Sequence, residues 1–177
     1  VDNALMLYME LLKSSNISQI DFTKAKYNIA TISVKKNNIE PMLEYLKNYQ
    51  QSINFENGIY DLIDYYKSNQ MQEDEINTYT KYLHKLHGSY SFLNSYSWRM
   101  AELNKNLEDA LIKVNEALDL IDNTIPQYTN ILDTKAEVLW KLGDTKEAIK
   151  IIQEAINLDP ESEYYKAQKD KFLSTNL

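Results

Sequence analysis

Between Val138 and Pro160 the chain reads VLWKLGDTKEAIKIIQEAINLDP: a glycine, then two alanines seven residues apart, then a proline. Each of these residues restricts what can form around it. Gly143 closes a helical pattern running from Tyr128 to Leu142 and can take the left-handed conformation that helix ends favour. Asp144 can cap the helix that follows, with Glu147 three residues on. A connection this short makes the two helices antiparallel. In the second helix Ala148, Ile152, Ala155 and Ile156 share one face, and the alanines stand where two closely packed helices need small side chains. Pro160 stops that helix and can begin another in its first turn. The stretch therefore specifies one helical hairpin.

A hairpin buries little apolar surface by itself, so the next question is whether it recurs. NLEDALIKVNEAL (Asn106 to Leu118) repeats DTKEAIKIIQEAI, with Ala110, Val114 and Ala117 in the places of Ala148, Ile152 and Ala155. Earlier in the chain QEDEINTYTKYL offers Ile76, Thr80 and Leu83, and NIEPMLEYLKNY offers Met42, Leu46 and Tyr49. The anchors 42, 76, 110 and 148 are 34, 34 and 38 residues apart. The longer last interval is absorbed by NTIPQYTN, Asn123 to Asn130. Caps and breakers then predict an opening helix over 2–14, pairs at 19–36 with 39–51, 55–68 with 72–86, 90–104 with 107–121 and 127–142 with 144–157, and a closing helix over 161–173.

The recurrence and its residues resemble the tetratricopeptide repeat family. Ala136, Leu139, Gly143, Ala148, Ile152, Ala155 and Pro160 stand at that family's signature positions. In the preceding unit Trp98, Ala101, Ala110, Val114 and Ala117 fit, with Lys105 in place of the turn glycine and Asp122 in place of the terminal proline. The first two units replace the small residues by Met42, Tyr49, Ile76 and Leu83, which implies altered packing angles. The resemblance implies an all-α fold, an α-solenoid of about ten helices, with residues 1–177 as one repeat domain whose units span 19–51, 55–86, 90–121 and 127–157, followed by a capping helix over 161–173. It also implies a concave surface lined by the first helix of each pair, which places Phe92, Ser95, Arg99, Glu102, Asn130, Asp133, Glu137 and Lys141 there as candidate partner-binding residues. The Lys and Asn positions by which part of the family grips a C-terminal carboxylate are not matched, since KAKYN (Lys24 to Asn28) lies out of register. A second resemblance joins LNSYSWRMAELNKNLEDALIKVNEALDLID and NILDTKAEVLWKLGDTKEAI to the helical C-terminal region of bacterial proteins with a thioredoxin-like domain. That likeness implies an accessory role beside an oxidoreductase domain lying outside this chain.

Composition narrows the function classes. A net charge of −7 and a pI near 4.9 oppose a nucleic-acid footprint, which needs clustered Lys and Arg. No apolar run reaches the length of a membrane span. The chain has no cysteine, so thiolate zinc sites, disulfides and thiol nucleophiles do not arise within it. His84 and His87 are three apart on one helical face but have no identifiable third ligand, and histidines near a helix end also complement its dipole. Glu73, Asp74 and Glu75 are first-turn acids of the ordinary kind. Ser95 and Ser97 lack a nucleophile elbow or a glycine-rich oxyanion loop. Tyr60, Tyr65, Tyr66, Tyr79 and Tyr82, among the chain's 14 tyrosines, read either as groove lining or as filling between hairpins where alanine is missing, and the second reading is favoured. The expectation is a non-enzymatic scaffold without cofactor or metal that binds a protein or peptide, with self-association as a further role. Because Val1 is not an initiator methionine, the chain also reads as part of a longer protein.

Overall fold

The computed structural model describes residues 2–174; Val1 and residues 175–177, the extremes of the expected repeat domain, lie outside them. Among the described residues there are ten helices: α1 (Asp2–Leu11), α2 (Gln19–Val34), α3 (Glu40–Asn48), α4 (Phe55–Ser68), α5 (Gln72–Leu83), α6 (Tyr90–Leu103), α7 (Leu107–Asp119), α8 (Gln127–Lys141), α9 (Thr145–Leu158) and α10 (Glu163–Ser174). Every helix expected from the sequence is present, with ends displaced by no more than a turn. The caps explain several starts. Ser18, Ser89 and Asp144 accept from the backbone N–H three residues on, at Asp21, Phe92 and Glu147.

The repeat is written most plainly in the turns inside the pairs. Asn37, Gln70, Asn104 and Gly143 all have positive φ. Each is followed by a residue whose N–H reaches back five positions: Asn38 to Ser33, Met71 to Tyr66, Lys105 to Met100 and Asp144 to Leu139, at 2.9–3.0 Å. Each left-handed residue also donates to the carbonyl three positions back. These two bonds together close a helix end and satisfy carbonyls that would otherwise lack donors. Only one of the four turns uses glycine. Asparagine, which tolerates the left-handed region, serves at two of the others. The position next to Lys105, where the sequence lacks a turn glycine, is one of these, and a second left-handed asparagine, Asn106, follows it.

That frame corrects one expected packing face. On α3 and α9 the buried anchors Met42 and Ala148 lie five residues past the left-handed residue; on α5 the same count arrives at Glu75, not Ile76. The structure buries Glu75, Thr78, Tyr79 and Tyr82, while Ile76 and Leu83 are half-buried and Thr80 is exposed. A strict 34-residue interval overshoots by one, which turns the helix by about 100°.

The chain divides into two compact units, residues 1–82 and 83–177. In the first, α1 packs on α2, α2 pairs with α3, and α4 meets both α2 and α3. Gly58 allows the α3–α4 approach, since a Cβ there would stand 3.1 Å from Leu46 Cδ2 and Met42 Sδ. Phe55 of α4 meets Tyr82 of α5 edge-on at 5.7 Å. Asp61 of α4 accepts from Tyr27 (3.0 Å) and Thr31 (2.7 Å) of α2. The tyrosines thus serve chiefly as filling: Tyr45, Tyr66, Tyr79 and Tyr82 are buried.

In the second unit α6 pairs with α7 and α8 with α9; α8 also packs beside α6 and α7, and α10 closes on α9. Ala110, Val114, Ala117, Ala148, Ile152 and Ala155 are fully buried, as their spacing requires. Ser97 of α6 donates 2.9 Å to its own helix at Leu93 and lies at the same distance from the Ala110 carbonyl of α7. Tyr96 donates to Asp109 at 2.6 Å, and burial together with that bond pushes its phenol well above the ordinary tyrosine range. In the first unit Tyr45, Tyr66, Tyr79 and Tyr82 take part of the core volume that alanine and aliphatic residues fill elsewhere.

Candidate functional site

In the second unit the first helices of successive pairs, α6 and α8, lie side by side, and side chains of α10, which packs on α9, reach α8. The eight residues expected along α6 and α8 are distributed unequally. On α6, Phe92 is fully buried and Ser95 half-buried; Arg99 forms an ion pair with Glu102 at 3.0 Å. On α8, Asn130 is exposed, Asp133 and Glu137 are buried, and Lys141 is half-buried with its ammonium 4.8 Å from the Trp140 ring centre.

Asn130, Asp133 and Glu137 fall on one side of α8 because they are three and four residues apart. Side chains of α10 reach all three. Tyr164 donates to Asp133 Oδ2 at 3.0 Å and Gln168 Nε2 to Asp133 Oδ1 at 3.1 Å. Tyr165 donates to Asn130 Oδ1 at 2.8 Å and lies 3.0 Å from the Thr129 hydroxyl. Lys171 reaches Glu137 and also sits over the Trp140 ring, 4.6 Å from its centre. Trp140 and Phe172 stack at 5.5 Å. The arrangement is a row of acceptors on one helix answered by a row of donors on the next.

The electrostatics follow from burial. The Asp133 carboxyl is pushed above the usual carboxylate range, chiefly by desolvation and also by neighbouring Glu137; the hydrogen bonds from Gln168 and Tyr164, and the charge of Lys171, oppose the shift. The Tyr164 phenol is raised as well, by burial first and then by the Asp133 charge. Trp140 Nε1 is buried without a hydrogen-bond partner.

The α10 residues are not among those the sequence singles out, since ESEYYKAQKDKFL reads as a helix with one solvated face. The signal that points to them is the spacing of Tyr164, Gln168 and Lys171, which puts a hydroxyl, an amide and an ammonium on one stripe. His84 and His87 are both exposed in the turn after α5, where His87 Nδ1 lies 3.0 Å from the His84 carbonyl. Among the described residues no three acidic or histidine side chains gather as metal ligands, and no helix is long and apolar enough to cross a membrane. A groove of about 770 Å³ in the first unit, walled by Ile20, Thr23, Tyr49 and Ile53, is lined by none of the eight residues. It brings together no titratable cluster, so the α8 face has the stronger chemical case.

Residues 130–162, from α8 past the end of α9, match the sequence profile of the tetratricopeptide repeat. No curated protein matches the chain. Among solved structures, "MamA RS-1 ArsTM double mutant" superposes with a TM-score of 0.64 at 14% identity, covering 88% of this chain and 84% of that one. TTC0263, a thermophilic TPR protein of Thermus thermophilus, superposes with a TM-score of 0.57 at 19% identity, covering 98% of this chain and 91% of that one. At these identities the likeness concerns the fold, an α-solenoid of helix pairs.

Proposed function

We propose that this tetratricopeptide-like helical repeat protein is a non-catalytic scaffold that binds a protein or peptide segment along a concave surface formed by the first helices of its pairs, α6 and α8 in the second unit. Folds of this type in general serve protein–protein recognition, through extended surfaces built by stacking. The observation that carries the reading is the α8 row itself: Asn130, Asp133 and Glu137 stand one turn apart and already engage the side chains of a neighbouring helix. That is how a helical or extended ligand would be gripped, by acceptors at regular spacing beside an aromatic wall, here Trp140.

The net charge of −7 sets the class of partner further, favouring a segment rich in hydrogen-bond donors or positive charge over nucleic acid. The test is selection of peptides of about 15 residues from a display library against the immobilised chain, followed by anisotropy titration of the selected peptides. Glu102→Lys and Asn130→Lys, both at exposed positions, are expected to weaken binding of such a positively charged segment by about tenfold or more, the scale of losing one well-placed charged contact, with the helical circular dichroism unchanged. Selected peptides that bind both variants as well as the parent chain would remove the face assignment.

A further inference from the structure

We infer that the groove between the α7–α8 connection and the end of α9 is a second recognition site in the second unit, taking a short basic peptide segment of a partner protein in which Lys or Arg residues flank one apolar side chain. None of the eight residues of the α6 and α8 face lines this groove, so the inference stands on its own observations.

Shape is the first of them. The connection from α7 to α8, residues 120–126, is the longest in the second unit and contains the start of NTIPQYTN, in the longest repeat interval. A loop can lengthen without disturbing the stack, and the loops of a repeat array gather on one side of it, often the side that binds. Here Thr124, Ile125, Pro126 and Thr129, together with Leu158 and Asp159, wall a cavity of about 510 Å³. Clefts for small ligands run from roughly 300 to 1,000 Å³, so the space suits a few side chains of a peptide. Ile125 and Leu158 are 40% and 50% exposed, which leaves two large apolar side chains in its walls within reach of water. The loop is also held in shape. Asp122 Oδ1 accepts from the Thr124 N–H at 2.9 Å and its hydroxyl at 2.7 Å, the Tyr128 N–H donates to the Ile125 carbonyl at 2.9 Å, and the Thr129 hydroxyl donates to the Pro126 carbonyl at 2.9 Å. A preformed wall spares a ligand the cost of ordering it.

Charge then selects the occupant. The two segments that meet here, 119–130 and 156–162, carry Asp119, Asp122, Asp159 and Glu161, all exposed, and no Lys or Arg. The bonds from Thr124 hold the Asp122 carboxyl below the usual carboxylate range, which keeps it ionised. A helix C-terminus carries partial negative charge that a cation ordinarily offsets, yet α7 and α9 both end beside this groove with no basic residue in the last turn. Asp119 at the end of α7 and Asp159 just past α9 add to that field. An apolar groove with a neutral rim would accept any oily side chain; this rim restricts it to one flanked by positive charge.

The test uses the full chain and a fluorescein-labelled synthetic peptide, GKRLKRG, read by anisotropy. Two further probes replace its leucine by serine or its four basic residues by glutamate. The basic, leucine-bearing probe should bind, and added NaCl should weaken it. Asp122→Asn with Asp159→Asn, which keeps the turn acceptor, and separately Ile125→Ser with Leu158→Ser, should each weaken it by about tenfold or more. Glu102→Gln, on the α6 face, should leave it unchanged. Backbone amide resonances of the unaltered chain, titrated with the same probe, should move over 120–129 and 157–160. Absence of binding up to about 1 mM overturns the inference, and so does equal binding of the serine probe, which would reduce the interaction to attraction toward an acidic surface. Resonance changes confined to α6 and α8, with sensitivity to Glu102→Gln, also overturn it while leaving the concave-face reading in place.

Discussion

At the scale of single residues, Asp133 carries the most distinctive electrostatics. Its carboxyl holds its proton more tightly in the folded chain than in the unfolded one, because burial penalises the charge more than its hydrogen bonds relieve it. A carboxyl with a raised folded pKa adds stability as the pH falls into the window between that raised value and the ordinary one of about 3.9, and loses that contribution as the pH rises. Asp133→Asn keeps an acceptor for Tyr164 or Gln168 but has no proton to take up. Urea midpoints measured from pH 7 down to pH 4 should therefore shift in favour of the native residue relative to Asp133→Asn as the solution becomes more acid. A difference that stays constant with pH would mean that Asp133 is better solvated than its packing indicates. Packing gives a second residue-scale expectation. Ala148 is fully buried between α9 and its neighbours, so Ala148→Trp forces a large side chain into filled space and should cost about 3 kcal/mol or more, whereas a change at exposed Lys146 should stay within about 0.5 kcal/mol. Equal denaturation midpoints for the two variants would contradict the assignment of faces.

At the scale of elements, the helices were legible because Gly, Pro and capping residues punctuate a chain otherwise poor in breakers, and the pair α8–α9 was legible in detail because its signature residues are intact. The turns at Asn37, Gln70 and Asn104 were not, since nothing in an isolated Asn or Gln announces a left-handed φ; only the bonding of the residue after it does. The register of α5 was hidden for a related reason. A buried Glu75 at a position where other pairs hold Met or Ala looks in sequence like an ordinary first-turn acid, so the apolar Ile76 beside it was the natural anchor. On α8 the spacing of Asn130, Asp133 and Glu137 was visible, but their engagement by α10 was not, because it depends on which helix comes to lie beside them. The turns also yield a test. Gly143 has φ of +87° and open space where a Cβ would project, while Gly88 has similar space without that φ. Gly143→Ala should thus cost about 1–2 kcal/mol from backbone strain alone, and Gly88→Ala close to nothing. Thermal melts of the two single variants separate the cases, and equal melting temperatures would mean that the turn after α8 relaxes to another conformation.

At the scale of the whole molecule, each hairpin leans on its immediate neighbours, so stability should vary along the chain as a sum of local and nearest-neighbour contributions. The second unit holds most of the fully buried alanines and branched residues of the repeat, concentrated on α7, α8 and α9. At the other end, Met6, Leu7, Met9 and Leu11 of α1 are exposed, so that helix gains less from burial than its apolar content would allow. Opening free energies should follow the same order: lowest in α1, intermediate in α10, whose anchors are Tyr165 and Phe172, and highest in α8 and α9. Native-state hydrogen exchange in low denaturant reads this directly, residue by residue. Removing residues from Glu161 onward sharpens the test, because it uncovers Leu132, Ile151 and Ile152 in the core that Tyr165 and Phe172 close. Exchange over 127–157 should then accelerate while α2–α4, in the other unit, keep their protection. If the same truncation leaves 127–157 unaffected, α10 contributes nothing to the core beneath it and stacking between neighbours is not what holds this end together; if it accelerates exchange equally in both units, the chain opens as one cooperative body and not as a graded array.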